Sequence, residues 1–80
     1  MTIMADLVDQ LTGLVAAQLG LSSVRSSDLI VEDLGAESMD IVNIVAGVEE
    51  RFGVSIDQTA LPDVRSVGDL QVLVERAMAD

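Results

Sequence analysis

Ser38 is the residue of this sequence whose setting could support chemistry. It lies within residues 33–40, which read Asp-Leu-Gly-Ala-Glu-Ser-Met-Asp, where a loop meets the start of a helical pattern. Side chains are accessible at a helix start, and a phosphate there is favoured by free backbone N–H groups and the positive end of the helix dipole. A phosphate borne on Ser38 would therefore have a compatible position. On position alone, a plain helix N-cap is the preferred interpretation, because it is the commonest reason for a serine at a helix start.

The amino-acid composition excludes most other kinds of reactive site. The chain has no Cys or His, and it also lacks Lys, Tyr and Trp. Disulfides, thiolate nucleophiles and zinc knuckles are therefore excluded, and the usual general bases are missing. We expect no metal site and no catalytic residue. A small hydrolase built on paired carboxylates is an alternative, but it would need a cleft that sets their pKa values apart.

The net charge restricts the partners. Fourteen acidic residues and four arginines give a formal charge of −10 at pH 7. Such a chain repels phosphate backbones and anionic headgroups, so we expect no nucleic acid and no membrane partner, whereas proteins with basic docking sites are attracted. The uncharged stretches are too short to span a bilayer, and the start lacks the basic region of a secretory signal, so the expected location is cytoplasmic.

Hydrophobic periodicity predicts a helical fold. Apolar residues recur on one arc at about 100° per residue in three segments, and the residues between the first two show no sustained period. Helices are predicted over residues 4–19, 38–52 and 67–79, with a short helical turn over 57–61 and a long loop over 21–37 that Leu29, Ile30, Val31 and Leu34 could pin to the core. The expected fold is all-α, a small bundle of three main helices plus one short helix, with a long first loop. Length allows one domain, residues 1–80.

Several residues mark the ends of these elements. Gly20 and Gly53 stand where left-handed caps would stop the first two helices. Pro62 would end the short turn, because the residue before a proline disfavours helical geometry. Ser66, with Asp69 three residues later, resembles a capping box that opens the last helix.

The second predicted helix has apolar residues on two sides. Besides its core face, Met39, Val42 and Ala46 form a second stripe with acidic residues at its edge. Such a stripe is either buried or offered to a partner. Gly47 lies in the middle of this helix, where glycine costs about 1 kcal/mol relative to alanine. Close helix packing or room for an acyl chain could explain it.

Residues 33–40 resemble the attachment motif of acyl carrier proteins, in which Asp-Leu-Gly and one small residue precede Asp-Ser-Leu. The resemblance covers essentially the whole chain, since the helices ending at Gly20 and Gly53 and the short third element fall where that family has them. In that family the serine carries 4'-phosphopantetheine through a phosphodiester. The resemblance therefore implies an acyl-carrier-like bundle with this cofactor attached at Ser38. The family's thiol belongs to the pantetheine, which agrees with a chain that has no Cys.

The resemblance also makes the second helix the recognition helix. It implies the partner-binding residues Glu37, Met39, Asp40, Val42, Ala46, Glu49 and Glu50. The expected partners are a phosphopantetheinyl transferase, a ketosynthase, an acyltransferase or other biosynthetic enzymes with basic surfaces, and we expect a monomer. For any single acid, a solvated face that supports solubility is the alternative interpretation.

Four residues depart from the family's usual pattern. Glu37 and Met39 replace Asp and Leu, while Asn43 and Arg51 make the second helix less acidic than in many fatty-acid carriers. The resemblance implies a free-standing, non-catalytic carrier that holds acyl intermediates as thioesters for fatty-acid or polyketide-type synthesis, and the lower acidity slightly favours the polyketide type. Two alternatives stay open: an aminoacyl carrier, and an unmodified carrier-fold module that is a structural or regulatory partner of a basic protein.

Overall fold

Over residues 3–79, three α-helices and one 3₁₀ helix make up the fold. The computed structural model describes the backbone of residues 3–79 and the side chains of residues 7–79. The α-helices are α1 (Ile3–Leu19), α2 (Ser38–Phe52) and α3 (Val67–Ala79), and the 3₁₀ helix covers Gln58–Asp63. The predicted all-α bundle of three main helices and one short helix is confirmed.

The core lies where α1 packs against both α2 and α3. Each helix contributes apolar residues spaced three or four apart, which place them on one face. The buried cluster consists of Leu7, Leu11, Val15, Ile30, Ala36, Ile44, Val45, Val48, Ile56, Val67, Leu70 and Val74. Ile30 and Ala36 belong to the loop before α2, so the core also holds the segment that leads to Ser38.

The helix ends follow the local signals in the sequence. Gly20 and Gly53 have φ values of 71° and 65° and follow the last residues of α1 and α2. At the start of α3, the Asp69 N–H donates to Ser66 Oγ at 3.1 Å, and the Ser66 N–H donates to the Asp69 carboxylate at 3.1 Å. The capping box expected at Ser66 is therefore confirmed.

The short helix differs from the prediction, because it runs through Pro62 to Asp63 instead of ending before the proline. A 3₁₀ helix has φ values near those that proline adopts, so the ring is tolerated there. The helix continues to a bond from the Val64 N–H to the Leu61 carbonyl oxygen at 3.0 Å. The rule that a proline ends a helix therefore did not apply to this tighter element.

The long loop between α1 and α2 is fastened to the segment that opens α3. The Ile30 N–H donates to the Arg65 carbonyl oxygen at 2.8 Å, and Leu29 and Ser66 form an isolated antiparallel bridge. Of the residues that the sequence suggested as an anchor, Ile30 is 4 % exposed and Leu34 packs against the core, whereas the Val31 side chain is 49 % exposed. The loop thus has a fixed path toward α2.

Candidate functional site

Ser38 is the first residue of α2, and its side chain is exposed. Glu37 before it is the N-cap, with extended backbone angles (φ −97°, ψ 172°). The first helical hydrogen bond runs from the Ile41 N–H to the Glu37 carbonyl oxygen at 3.1 Å. The N–H groups of Ser38 and Met39 precede this bond, so they point out of the helix start. A phosphate on Ser38 Oγ would meet these donors and the positive end of the helix.

Asp40 closes the N-terminal turn of α2. Its carboxylate accepts a hydrogen bond from the Glu37 N–H at 2.9 Å, and its side chain is half-buried. This is the arrangement of a capping box, which satisfies one of the free donors at the helix start. The structure therefore gives Asp40, expected from the resemblance to bind partners, a role in holding the helix that begins at Ser38.

A single turn of chain leads into this site. The Asp33 N–H donates to the Leu29 carbonyl oxygen at 2.9 Å, and the Ala36 N–H donates to the Ile30 carbonyl oxygen at 3.1 Å. The Asp33 carboxylate accepts from the Leu29 N–H at 2.9 Å. Ala36 is 5 % exposed, so the turn ends in the core two residues before Ser38. The sequence places Asp33 in the attachment motif but does not indicate this hydrogen bond, in which its side chain accepts a backbone N–H as that of Asp40 does.

One face of α2 is apolar and open to solvent. Met39 is 67 % exposed, Val42 is 55 % exposed and Ala46 is also exposed. Their spacing of three and four places them on one side of the helix, away from the core face. We call Met39, Val42 and Ala46 the apolar strip. The structure therefore brings together the three apolar residues that the resemblance singled out.

The acidic residues expected around this strip fall into two groups. Glu37 and Glu50 are exposed at its two ends. Glu49 is half-buried, and its carboxylate accepts a hydrogen bond from the Ile56 N–H at 2.8 Å. Asp40 and Glu49 thus accept backbone hydrogen bonds within the fold, Glu37 is exposed and shares the capping box with Asp40, and Glu50 is exposed.

The 3₁₀ helix borders the strip on one side. A cleft of about 150 Å³ is lined by Val42, Val45, Ala46 and Glu49 of α2 and by Gln58 and Leu61 of the 3₁₀ helix. The sequence indicated the short helix but gave no reason to place Gln58 and Leu61 beside α2. Their nearness follows from the reversal of the chain at Gly53.

Another side of α2 faces α1. Asn43, Gly47 and Arg51 line a groove between the two helices, and Arg51 Nε donates to Gln10 Oε1 at 3.1 Å. A Cβ atom built at Gly47 would lie 3.5 Å from Leu14 Cδ2, which is ordinary contact. Close packing therefore does not require glycine there. Asn43 and Arg51, which lower the acidity of α2, lie outside the apolar strip.

The geometry of the site suits the presentation of an attached group. Within residues 7–79, no three Asp, Glu, His or Cys side chains come together as a possible metal site. Over the part of the chain that the structure describes, no helix has both the length and the apolar character needed to cross a membrane. The exposed hydroxyl of Ser38, at the start of a rigid helix, is the feature suited to carrying an attached group.

Comparisons with known proteins agree on one family. A family model described as a phosphopantetheine attachment site matches residues 9–70. The acyl carrier protein of Sinorhizobium fredii (strain NBRC 101917 / NGR234) is 35 % identical over an alignment of 78 residues that covers 95 % of this chain and 100 % of that protein. The acyl carrier protein of Thermotoga maritima is 29 % identical over 75 residues, covering 91 % of this chain and 93 % of that protein.

A solved structure supports the fold. The crystal structure of an acyl carrier protein from Thermotoga maritima matches with a TM-score of 0.78 and 23 % identity, covering 95 % of this chain and 91 % of that one. At this level of identity the likeness establishes the arrangement of the helices. The expected acyl-carrier-like bundle is therefore confirmed.

Proposed function

Because the chain belongs to the acyl carrier protein family, we propose that Ser38 bears the family's covalent 4'-phosphopantetheine and that residues 1–80 act as one carrier domain. Members of this family are carriers and not catalysts, so the chain is a carrier protein. The observation that carries the proposal is the exposed Ser38 hydroxyl at the first position of α2, within the Asp-Leu-Gly-Ala-Glu-Ser frame.

In the attachment reaction, the phosphopantetheine group of coenzyme A is transferred to the Ser38 hydroxyl. Ser38 Oγ attacks the phosphorus of coenzyme A that bears pantetheine, and a new P–O bond forms. The P–O bond to the adenosine bisphosphate breaks, and the serine proton passes to a base on the transferase. The backbone N–H groups of Ser38 and Met39, which are free at the start of α2, would favour the negative charge of a phosphodiester on Ser38. Once attached, the arm supplies a thiol that holds an acyl group as a thioester.

The surface beside Ser38 supports docking of basic enzymes. The apolar strip offers an apolar centre that loses its water when a partner docks, and Glu37 and Glu50 add negative charge at its ends. A centre of this kind with a charged rim is typical of transient protein interfaces. With a net charge of −10, the chain also attracts positive surfaces over a distance. The proposed partners are a phosphopantetheinyl transferase, a ketosynthase and an acyltransferase, which meet the strip together with Asp40 and Glu49.

The cargo that fits this proposal is an intermediate of fatty-acid or polyketide-type synthesis. The slight preference for the polyketide type rests on Asn43 and Arg51, which reduce the acidity of α2. Both residues line the groove toward α1, so they weaken the negative field around the apolar strip without lying in it. Their influence on partner choice is therefore electrostatic, and transfer of malonyl groups by transferases of the two pathways would separate the two types.

The proposal is tested by the intact mass of the chain after incubation with coenzyme A and a broad-specificity phosphopantetheinyl transferase. We expect the parent chain to gain one phosphopantetheine and Ser38→Ala to gain none. Ser55→Ala, which changes an exposed serine beyond the end of α2, should gain the group as the parent does. An unmodified parent chain would instead favour a carrier-fold module that binds a basic partner without the arm.

A further inference from the structure

We infer that Asp33 is a positioning residue for the modification of Ser38, an inference that rests on the proposed function. Asp33 is exposed and lies five residues before the serine, outside the apolar strip. Its carboxylate accepts the Leu29 N–H at 2.9 Å, while its own N–H donates to the Leu29 carbonyl oxygen at 2.9 Å. Asp33 and Leu29 thus exchange two hydrogen bonds, and these close the turn that carries the chain to α2.

The turn closed by Asp33 is anchored at its start. Leu29 forms the antiparallel bridge with Ser66, and the Ile30 N–H donates to the Arg65 carbonyl oxygen at 2.8 Å. Both partners lie in the segment that opens α3, which the core holds in place. The first residues of the turn therefore have a fixed position, and Asp33 ties the far side of the turn to them.

The turn is also anchored at its end. Gly35 has a φ of 72°, a left-handed conformation that turns the chain inward, and the next residue, Ala36, is 5 % exposed. The Ala36 N–H donates to the Ile30 carbonyl oxygen at 3.1 Å. Only Glu37 separates this anchor from Ser38. A looser turn would therefore let the serine hydroxyl sample more positions, and fewer of them would suit attack on coenzyme A.

The same loop contains an internal control. The Asp28 carboxylate accepts the Arg25 N–H at 2.8 Å, which is the same kind of bond between a side chain and a preceding backbone N–H. Asp28 lies before the bridge at Leu29 and Ser66, so its bond stabilises the loop without closing the turn that leads to Ser38. If losing either hydrogen bond only loosened the loop in general, modification of Ser38 would slow in both Asp28→Ala and Asp33→Ala. A positioning role for Asp33 predicts slower modification in Asp33→Ala alone.

The test is the steady-state kinetics of the transferase with coenzyme A and four variants of the chain: Asp33→Ala, Asp33→Asn, Asp28→Ala and Glu32→Ala. For Asp33→Ala we expect kcat to fall about fivefold, which corresponds to one lost hydrogen bond, with KM unchanged because the docking surface on α2 is intact. Asp33→Asn keeps an oxygen acceptor and should retain the parent kcat. Asp28→Ala and Glu32→Ala, which removes a neighbouring exposed charge, should match the parent.

Amide hydrogen exchange adds a readout that does not depend on the transferase. In Asp33→Ala we expect faster exchange of the Ala36 N–H, while the amides of the helical core keep the parent rates. Unchanged exchange at Ala36 would contradict the inference, and so would a parent-like kcat for Asp33→Ala. If kcat fell as much in Asp33→Asn as in Asp33→Ala, the transferase would be recognising the charge of Asp33, which would contradict the positioning role. An equal fall of kcat in Asp28→Ala would mean that the loop is loosened in general, which would also contradict it.

The failure of this inference is distinguishable from failure of the proposed function. A parent chain that receives no phosphopantetheine would overturn both. A parent chain that is modified at Ser38, with an Asp33→Ala variant that is modified equally fast, would overturn the positioning role of Asp33 and leave the carrier function in place.

Discussion

Glu49 and Glu50 are neighbours in α2, but their carboxylates meet different surroundings. Glu49 is half-buried and accepts the Ile56 N–H at 2.8 Å, while Glu50 is exposed. The bond from Ile56 joins the end of α2 to the segment that follows Gly53. When a buried or partly buried hydrogen-bond donor loses its acceptor, the free energy of unfolding falls, whereas an isolated surface charge contributes little to it. The two residues should therefore respond differently to the same substitution.

For Glu49→Ala we expect the free energy of unfolding to fall by about 1 kcal/mol, because the Ile56 N–H loses its partner. For Glu50→Ala we expect a change within about 0.5 kcal/mol, the range of ordinary surface substitutions. Urea denaturation at pH 7, followed by circular dichroism, measures both. Equal stabilities for the two variants would contradict the structural role assigned to Glu49.

At the scale of elements, the first turn of α3 contains an aspartate, Asp69, whose titration links helix capping to pH. Hydrogen bonds from the backbone N–H of Ser66 and, next, from that of Arg65 lower the pKa of Asp69 below its usual value of 3.8. The folded chain therefore favours the ionised carboxylate. The stability that this contributes is present above the pKa of the unfolded chain and is lost as the pH falls through the lower folded pKa.

We accordingly expect Asp69→Asn to be less sensitive to acid than the parent chain. Between about pH 5 and about pH 2.5, the parent should lose more free energy of unfolding than this variant, because asparagine has no charge to lose. Urea denaturation over a pH series measures the difference. Asp63→Asn, which removes an exposed carboxylate at the end of the 3₁₀ helix, controls for the change in net charge. Parallel curves for the parent and Asp69→Asn would refute the link.

Glycines at different places in the helices should respond to alanine in opposite directions. Gly13 lies within α1, and a Cβ atom there would meet nothing within 4 Å apart from the adjoining backbone of its own helix. Gly53, in contrast, has a φ of 65° after the last residue of α2. We expect Gly13→Ala to raise the free energy of unfolding by about 1 kcal/mol and Gly53→Ala to lower it by about 1 kcal/mol. Thermal and urea denaturation measure both, and a shift of the same sign in the two variants would contradict this account.

Gly47 extends the comparison to the interface between α1 and α2. An added Cβ atom would make ordinary contact with Leu14 Cδ2 at 3.5 Å, so steric conflict does not oppose the gain in helix propensity. Gly47→Ala should therefore raise stability as Gly13→Ala does, by up to about 1 kcal/mol. The same denaturation series measures it. A loss of stability would mean that the two helices need the closer approach that glycine allows.

At the scale of the whole molecule, the features readable from the sequence are those set by nearby residues. The bounds of the three main helices, the ends at Gly20 and Gly53, and the capping box at Ser66 depend on residues within a turn of one another, and the structure confirms them to within one residue. The bridge from Leu29 to Ser66 depends on the path of a long loop. For that reason the sequence revealed the serine and its motif but not the support that Asp33 gives the turn before it.

The high negative charge was interpreted from the sequence as a field for basic partners. In the structure, many carboxylates also accept hydrogen bonds from backbone N–H groups, and these are Asp28, Asp33, Asp40, Glu49, Asp57 and Asp69. Acidic residues thus hold turns and helix ends throughout a chain that is only 80 residues long. The negative field and the rigid presentation of Ser38 are consequently produced by overlapping sets of residues, so neutralising an acid to test docking also requires a measurement of stability.

The measurement that tests the central claim most directly is the location of the added group in the modified chain. Arginine occurs only at positions 25, 51, 65 and 76, and the chain has no lysine, so trypsin should release residues 26–51 as one peptide that contains Ser26, Ser27 and Ser38. After reaction with coenzyme A and the transferase, we expect phosphopantetheine on this peptide, with fragmentation placing it at Ser38. A group on Ser26, on Ser27 or on another peptide would contradict the account, as would its absence from the chain.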